Sequence, residues 1–426
     1  MDQLQQNRKF TFIDLFAGAG GLSEGFSAEN YLPVAHVEMN EAACLTLKTR
    51  ACYWWLKDHG KLDVYRSYLK KEISRDALYS QVPSEITNAV ICEKLGDDTT
   101  PGIMDKITKS MDAFGARTVD LIIGGPPCQA YSLVGRGRKD MSNDPRNVLY
   151  QQYLAILKKF QPLMFVFENV PGLLTAAKGK YFDDIKNSFD NLGYKLEYHV
   201  LNASDYGVLQ KRRRIILIGW KRELNLSYPE IHREKLHATV NDLLSDLPEM
   251  LPGESKDQYS TTVINDYLEK TGIRKQDDIL TWHVTRCHRE TDREIYRIAI
   301  NEWNNSGKRL AYNELPEELK FHKNQTAFTD RFKVVEADEA ACHTMVAHIA
   351  KDGHYYIHPD IKQARSISVR EAARIQSFPD DYFFEGPRTA AFMQIGNAVP
   401  PILAKAIASA VKTEIAEVYR NNGKND

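Results

Sequence analysis

Residues 12–26 read FIDLFAGAGGLSEGF, an apolar run that breaks at closely spaced glycines and resumes as the start of a helix. Nothing else in the chain constrains the fold as strongly. A buried strand feeding a glycine turn and then a helix is the opening unit of an α/β sheet, and the turn is where such sheets hold ligands. A dinucleotide fingerprint needs Gly-x-Gly-x-x-Gly, but here Gly18 and Gly20 are followed by Gly21, and Ser23 stands where the third glycine belongs. No Gly-Lys-Ser/Thr follows, so the turn is not a phosphate loop. Glu38 closes the next apolar run, at the offset of about 20 residues where these folds place a ribose-binding carboxylate. The pair suits a ligand that carries a ribose and no phosphate.

Short apolar runs alternate with longer amphipathic stretches through the first half of the chain, the pattern of a doubly wound βαβ sheet. Strands are expected at Thr11–Leu15, Val34–Glu38, Ala89–Cys92, Leu121–Ile123 and Met164–Phe167, with Glu197–Leu201 and Ile215–Gly219 as a closing antiparallel pair. Helical spacing marks Glu41–Arg50, Tyr150–Lys159 and Phe182–Leu192, and Ala51–Glu85 reads as a charged, Tyr-rich, helical surface insertion. From about Tyr228 to Asp360 the chain turns polar and weakly periodic, punctuated by Pro248, Pro252, Gly253 and Pro316, and reads as a second, smaller domain. Regular signals return at Val369–Phe378. Apolar residues of Ile402–Val418 then recur at threes and fours, as in a helix packing back on the first domain. The expected division is a first domain of residues 1–225 completed by 385–426, and a second of 226–384.

The run Val119–Ile123 leads into GGPPCQAYSLVGRGRKD. A free cysteine is by default a small buried hydrophobe, but Cys128 follows two glycines and two prolines at the carboxyl end of a strand, where open α/β sheets bind ligands. Gly135, Arg136, Gly137, Arg138 and Lys139 behind it read as a cationic loop able to close over a phosphate backbone. A thiolate is the side-chain nucleophile most effective near neutral pH. Carbon 5 of cytosine needs such help: attack by a thiolate at carbon 6 turns carbon 5 into an enamine-like carbon that accepts a methyl group. Enzymes that methylate exocyclic amines have Asp or Asn before Pro-Pro and an aromatic after it, whereas Gly and Cys flank it here.

FVFENVPG, residues 165–172, places Glu168 at the end of the next strand, beside the Cys128 loop, where a carboxylate answers the charge that covalent addition leaves on ring nitrogen 3. The run QKRRR, residues 210–214, alternates so that Arg212 and Arg214 share one side of an extended segment, two guanidiniums for a base oxygen and a neighbouring phosphate.

Taken in order, these blocks resemble the cytosine-5 DNA methyltransferase family from Phe12 to the C-terminal helix. The matching runs are Phe16–Gly21 (FAGAGG), Glu38-Met39-Asn40, Gly124–Ser132 (GGPPCQAYS), Glu168–Gly172 (ENVPG), QKRRR, Arg365–Asp380 (RSISVREAARIQSFPD) and Gln394–Pro401 (QIGNAVPP). The resemblance implies a Rossmann-like S-adenosylmethionine-dependent methyltransferase sheet with a smaller DNA-recognition domain. It implies that Cys128 is the nucleophile, that Glu168 contacts ring nitrogen 3, and that Arg212 and Arg214 lie in the active site with Arg214 nearest the base oxygen. It also implies a cofactor pocket of Phe16, Gly18, Gly20, Gly21, Glu38, Met39 and Pro127, closed from the C-terminus by Asn397 and Val399, with Asp97 or Asp98 at the adenine. Arg370 and Glu371 brace the second domain on this view. Leu209 and Tyr131 depart from the family's usual Pro and Phe without removing a reacting group.

The stretch between QKRRR and RSISVREAAR reads the DNA in such a family, here roughly Lys221–Arg365. WHVTRCHRETDREIYR, Lys308, Arg309, Lys320 and Lys323 are its candidates for phosphate contact. His283, Cys287 and His288 lack the paired spacing of a structural zinc site, so no metal is expected. The net charge of -1 gives no global basic field, so a nucleic-acid surface has to be a local patch. Six scattered cysteines without a CxxC pair exclude a disulfide framework, and neither a signal peptide nor a membrane-length apolar run is present. The expectation is a cytoplasmic, nucleoid-associated bacterial monomer acting on double-stranded DNA, with a restriction endonuclease as a possible companion. The alternatives are a tRNA cytosine-5 methyltransferase, for which the variable region is long, and an idle DNA-binding regulator, whose relatives lose the cysteine or the carboxylate. A nicotinamide-dependent dehydrogenase is disfavoured by the misplaced glycine.

Overall fold

The computed structural model describes residues 9–127, 149–321 and 329–422. By contact the chain falls into two compact units: unit 1 takes residues 1–206, 213–234 and 399–426, and unit 2 takes 207–212 and 235–398. The chain thus re-enters unit 1 at Val399, where sequence patterning placed the return at 385.

Unit 1 is built on a seven-stranded sheet among the described residues. Its strands are β1 (Thr11–Leu15), β2 (Leu32–Glu38), β3 (Val90–Cys92), β4 (Leu121–Gly124), β5 (Met164–Asn169), β6 (Tyr194–Asn202) and β7 (Arg213–Lys221). They lie in the order β3-β2-β1-β4-β5-β7-β6. β1 to β5 pair in parallel, while β7 runs antiparallel to both β5 and β6. The order reverses between β1 and β4, which sets the ligand crevice at the carboxyl ends of those strands. β1 and β4 are buried along nearly their whole length, so they read as apolar runs rather than alternating ones, and β6 at the edge alternates with exposed positions.

Helices cover both faces. On α6 (Thr100–Ala113), Ile103, Ile107 and Met111 lie four apart and enter the core; Tyr153, Ile156 and Leu157 of α7 (Leu149–Phe160) and Ile185 and Phe189 of α8 (Lys180–Asn191) do the same. The other face carries α1 (Gly21–Ala28) and the C-terminal α13 (Pro401–Asn422). These two approach so closely that a Cβ on Gly25 would stand 2.3 Å from the Ala404 backbone, which requires glycine. The expected insertion begins inside α2 (Glu41–Asp58), capped by the Asn40 side chain and carried past Arg50 by buried Cys52, Tyr53 and Leu56. Three short helices follow: α3 (Leu62–Leu69), α4 (Arg75–Tyr79) and α5 (Ser84–Asn88).

Unit 2 holds few regular elements: α9 (Asp266–Thr271), α10 (Glu290–Ser306), α11 (Val369–Ile375) and α12 (Arg388–Asn397). Ile295, Tyr296, Ala299 and Ile300 of α10 pack on Leu310, Tyr312, Leu315 and Phe332. Buried ion pairs supply the rest of the order: Arg374 joins Asp246 and Asp380, and both Nη atoms of Arg365 reach Glu371 at 2.7 Å. Arg370 is fully buried and donates to Thr281, Pro379 and Tyr382 carbonyls, so Arg370 and Glu371 are framework groups of this unit. Among the described residues no helix is long and apolar enough to cross a membrane.

Candidate active site

The glycine turn after β1 is held by its own backbone and by Glu38. Gly20 N donates to Ala17 O at 2.9 Å, and Gly20 then opens α1 with a left-handed φ of 80°. Glu38 Oε2 accepts the Gly18 N–H at 2.8 Å, and its Oε1 accepts the Asn40 N–H at 2.8 Å. One carboxylate thereby ties the end of β2 to the turn after β1. Phe16 takes a φ of +57°, a strained geometry for an aromatic residue and one that clusters at ligand sites. Gly18 has a φ of +55° and no atom within 4 Å of where a Cβ would lie, so its surroundings are open. Met39 follows Glu38 with 62% of its surface exposed, an apolar side chain at the strand end. An anchored carboxylate, open glycine and exposed apolar surface fit a ribose and a purine face, and the turn lacks the lysine that a phosphate would call for.

After β3 a hydrogen-bonded turn carries Asp97 and Asp98, both exposed. Gln152 Nε2 donates to Asp97 Oδ1 at 2.7 Å. Val399 is buried in unit 1, whereas Asn397 is exposed at the end of α12 in unit 2.

β4 runs into Gly124, Gly125, Pro126 and Pro127. Gly124 approaches β1 so closely that a Cβ would stand 2.3 Å from Leu15 O. A Cβ on Gly125 would stand 2.5 Å from Glu168 Oε2 and 3.2 Å from Glu168 O. Asn169 Nδ2 donates to Pro126 O at 3.3 Å. These contacts set the chain leading to Cys128 directly against the Glu168 carboxylate. Cys128 itself and the cationic run Gly135–Lys139 lie outside the described residues.

Glu168 pairs in register with Ile216 of the antiparallel β7, which puts Arg214, two residues earlier, on the same face as its diagonal neighbour. Arg214 Nε meets Glu168 Oε1 at 2.7 Å, with each side chain 14% exposed. Water is largely excluded from this pair yet one edge stays accessible, the condition for a charge meant to act on a ligand. Arg212 goes elsewhere. Its fully buried guanidinium donates to Met345 O and, at 3.1 Å, to Gly396 O, all within unit 2. Gln210 likewise donates to Gln376 Oε1 at 2.7 Å and accepts from Met345 N at 2.8 Å. The chain passes from one unit to the other inside the motif, between Arg212 and Arg213, so the strict alternation of an extended segment does not carry across it.

Several of the basic groups named for phosphate contact meet carboxylates of their own unit: Lys308 pairs with Glu314, Arg309 with Glu336, Lys320 with Glu317, and Arg293 and Arg297 with Glu290, while Arg286 donates to the Ile349 and Lys351 carbonyls. Lys323 lies outside the described residues. Both ring nitrogens of His283 are engaged, with Ser368 Oγ and Pro248 O at 3.0 Å each, and His288 Nε2 meets Ser366 Oγ at 2.9 Å. Two buried groups linked to Asp97 escaped sequence reasoning. Gln152 and Thr100 carry no motif, and only the packing of α6 beside α7 brings them together.

The sheet order, the anchored acid after the glycine turn and the Glu168–Arg214 pair define a methyltransferase of the Rossmann-like class. The chain matches the C-5 cytosine-specific DNA methylase family over residues 10–83 and 97–413. It is 47% identical to the type II methyltransferase M.Bpa9945I of Bacillus paralicheniformis, across 95% of this chain and 98% of that one. It is 34% identical to the type II methyltransferase M.DdeI of Desulfomicrobium norvegicum, across 97% of this chain and 91% of that one. A solved E. coli protein described as a "putative DNA modification methyltransferase encoded within prophage" shares the fold, with a TM-score of 0.62 and 23% identity over 96% of this chain and 99% of that one. The chain belongs to the C-5 cytosine-specific DNA methylase family and is a DNA cytosine-5 methyltransferase, so it acts on DNA and requires a methyl donor.

Proposed function

We propose that the protein methylates carbon 5 of a cytosine flipped out of duplex DNA, with Cys128 as nucleophile and S-adenosylmethionine as donor. The observation that carries this reading is the Glu168–Arg214 pair, held against Gly125 and Pro126 at the carboxyl edge of the sheet. A stacked base hides its carbon 6, so the base has to leave the helix before a thiolate can reach it.

The Cys128 thiolate adds to carbon 6, and the electron pair of the carbon 5–carbon 6 bond moves into the ring toward nitrogen 3. A proton held on Glu168 Oε2, the oxygen over Gly125, passes to nitrogen 3 as that pair arrives and returns to Oε2 when the ring is restored, while Oε1 stays on Arg214. Arg214 orients the carboxylate and lies nearest the base oxygen. S-adenosylmethionine, when bound, supplies an electrophilic methyl carbon. Loss of the carbon 5 proton and departure of the Cys128 thiolate then restore the ring. Phe16, Gly18, Gly20, Gly21, Glu38, Met39, Pro127 and Val399 hold the donor; Glu38 takes the ribose hydroxyls and Asp97 the adenine amine. Arg212 serves as a buried framework group that shapes the motif from which Arg214 emerges.

In this reading unit 2 reads the target sequence and the enzyme works as a cytoplasmic monomer; its similarity to type II methyltransferases supports a part in protecting DNA against a companion endonuclease. Bisulfite sequencing of DNA from a host expressing the protein should show one short methylated sequence. C128A should lose all methylation and retain DNA binding. Residual turnover by that variant refutes the covalent route.

A further inference from the structure

Thr100 opens α6, and Gln152 lies in the first turn of α7; both are buried. The Thr100 hydroxyl donates to Gln152 Oε1 at 2.6 Å, and Gln152 Nε2 donates to Asp97 Oδ1 at 2.7 Å. The amide has one satisfied orientation. Turned the other way, its oxygen would face the Asp97 carboxylate, two acceptors with no proton between them. The acceptor-only Asp97 carboxylate therefore fixes which way the amide points, the Thr100 hydroxyl anchors the amide's oxygen end, and the anchored amide fixes where Asp97 Oδ1 stands. Among the described residues no side chain holds Asp98 in this way.

We propose that Gln152, anchored by Thr100, is a positioning residue for recognition of the donor's adenine, and that Asp97 rather than Asp98 is the carboxylate it presents. The proposal rests on the reading that S-adenosylmethionine is the donor. A carboxylate on an exposed turn samples many rotamers, and a flexible acceptor discriminates poorly between an amine and a carbonyl. With Oδ1 fixed by Gln152, Oδ2 is left as an acceptor of fixed position for an exocyclic N–H. A 6-oxo purine places an oxygen there and meets a carboxylate that cannot swing away. Specificity then comes from a buried group that touches no ligand.

The test is equilibrium binding of S-adenosylhomocysteine and of its 6-oxo counterpart, S-inosylhomocysteine, to the full-length protein by calorimetry. The wild type should prefer the adenosyl compound. Q152L should lower that preference by about tenfold, the scale of one ordered hydrogen bond to a charged group, with the affinity for the inosyl compound nearly unchanged. T100V, which removes only the hydroxyl, should lower it in the same direction. Q152E keeps the shape and sets a second carboxylate against Asp97. Its affinity for S-adenosylhomocysteine should fall at pH 8 and recover toward pH 6, a pH dependence absent from the wild type. Thermal melting identifies any variant that fails to fold, and the near-isosteric T100V and Q152E then decide. A folded variant that keeps the wild-type preference, or that loses both ligands equally, overturns the positioning role. Wild-type protein that binds neither compound overturns the donor assignment itself.

Discussion

Gly125→Ala is the sharpest perturbation the site offers, because the added methyl group has a known neighbour. The new Cβ would stand 2.5 Å from Glu168 Oε2, and ordinary contact begins near 3.4 Å. The carboxylate must retreat by about 1 Å, and two features deny it an easy path. Its other oxygen is held by Arg214 at 2.7 Å, and the Glu168 carbonyl, part of β5, is only 3.2 Å from the same methyl. A displacement of about 1 Å in a positioned catalytic group lowers turnover by about 100-fold, or about 2.7 kcal/mol of barrier. Overpacking at one methyl should cost stability by only about 1–3 kcal/mol. Single-turnover transfer of tritiated methyl groups to DNA measures the first effect, and thermal melting the second. In a Glu168→Ala background the same change should add almost nothing, since the group it displaces is gone. A folded Gly125→Ala enzyme working within threefold of the wild type refutes the juxtaposition of this loop with Glu168.

Glu38→Gln should weaken S-adenosylhomocysteine binding by about 10- to 100-fold, because the carboxylate accepts the Gly18 and Asn40 N–H groups and, in the proposed function, also takes the ribose; calorimetry that finds unchanged affinity refutes that dual role. Arg212→Met should destabilise the fold by about 3 kcal/mol by leaving the Met345 and Gly396 carbonyls without their donor. Loss of turnover with an unchanged melting temperature would instead give Arg212 a direct part in the chemistry. Burial, then Arg365, pushes the His358 imidazole down from 6.5 to about 4, and Glu371, which is already engaged by Arg365, only partly opposes them. Above about 6.5 the ring is neutral folded or unfolded. Below that the unfolded chain takes up the proton first, so stability falls by up to about 2 kcal/mol between pH 6.5 and 5. Melting curves of His358→Gln should be flatter over that range, and a slope equal to the wild type's refutes the assignment.

The strands of unit 1 were legible because each is a short apolar run between turn residues, and β1, β2, β4, β5 and β7 lie where patterning put them, to within a few residues at each end. Helix length was less legible. α2 runs to Asp58 rather than stopping near Arg50, because nothing in the sequence breaks it before Gly60 and its buried residues continue at helical spacing. Unit 2 gave little to read for a physical reason. Much of its interior is ionic, with Arg365, Arg370, Arg374, Glu371 and Asp380 all buried, and such residues count as surface in any hydrophobic pattern. Their partners, such as Asp246 for Arg374, lie far away in sequence and leave no local signature.

The candidate site was legible where one strand end determines it and illegible where two segments must meet. Glu168 and Gly125 follow from strands that end at the same sheet edge, so order along the chain suffices to place them together. Arg212 and Arg214 show the limit. Alternation puts them on one side only if the segment is extended throughout and belongs to one body. β7 begins at Arg213, and Gln210 and Arg212 before it are bound into unit 2 by backbone carbonyls and by Gln376. Arg212 gives its donors to carbonyls in a dry interior, whereas Arg214 sets its Nε on the partly accessible Glu168 carboxylate and its Nη1 on the Arg213 carbonyl. The motif therefore divides its labour. Its first half is bound into unit 2, and its last arginine meets Glu168 in unit 1.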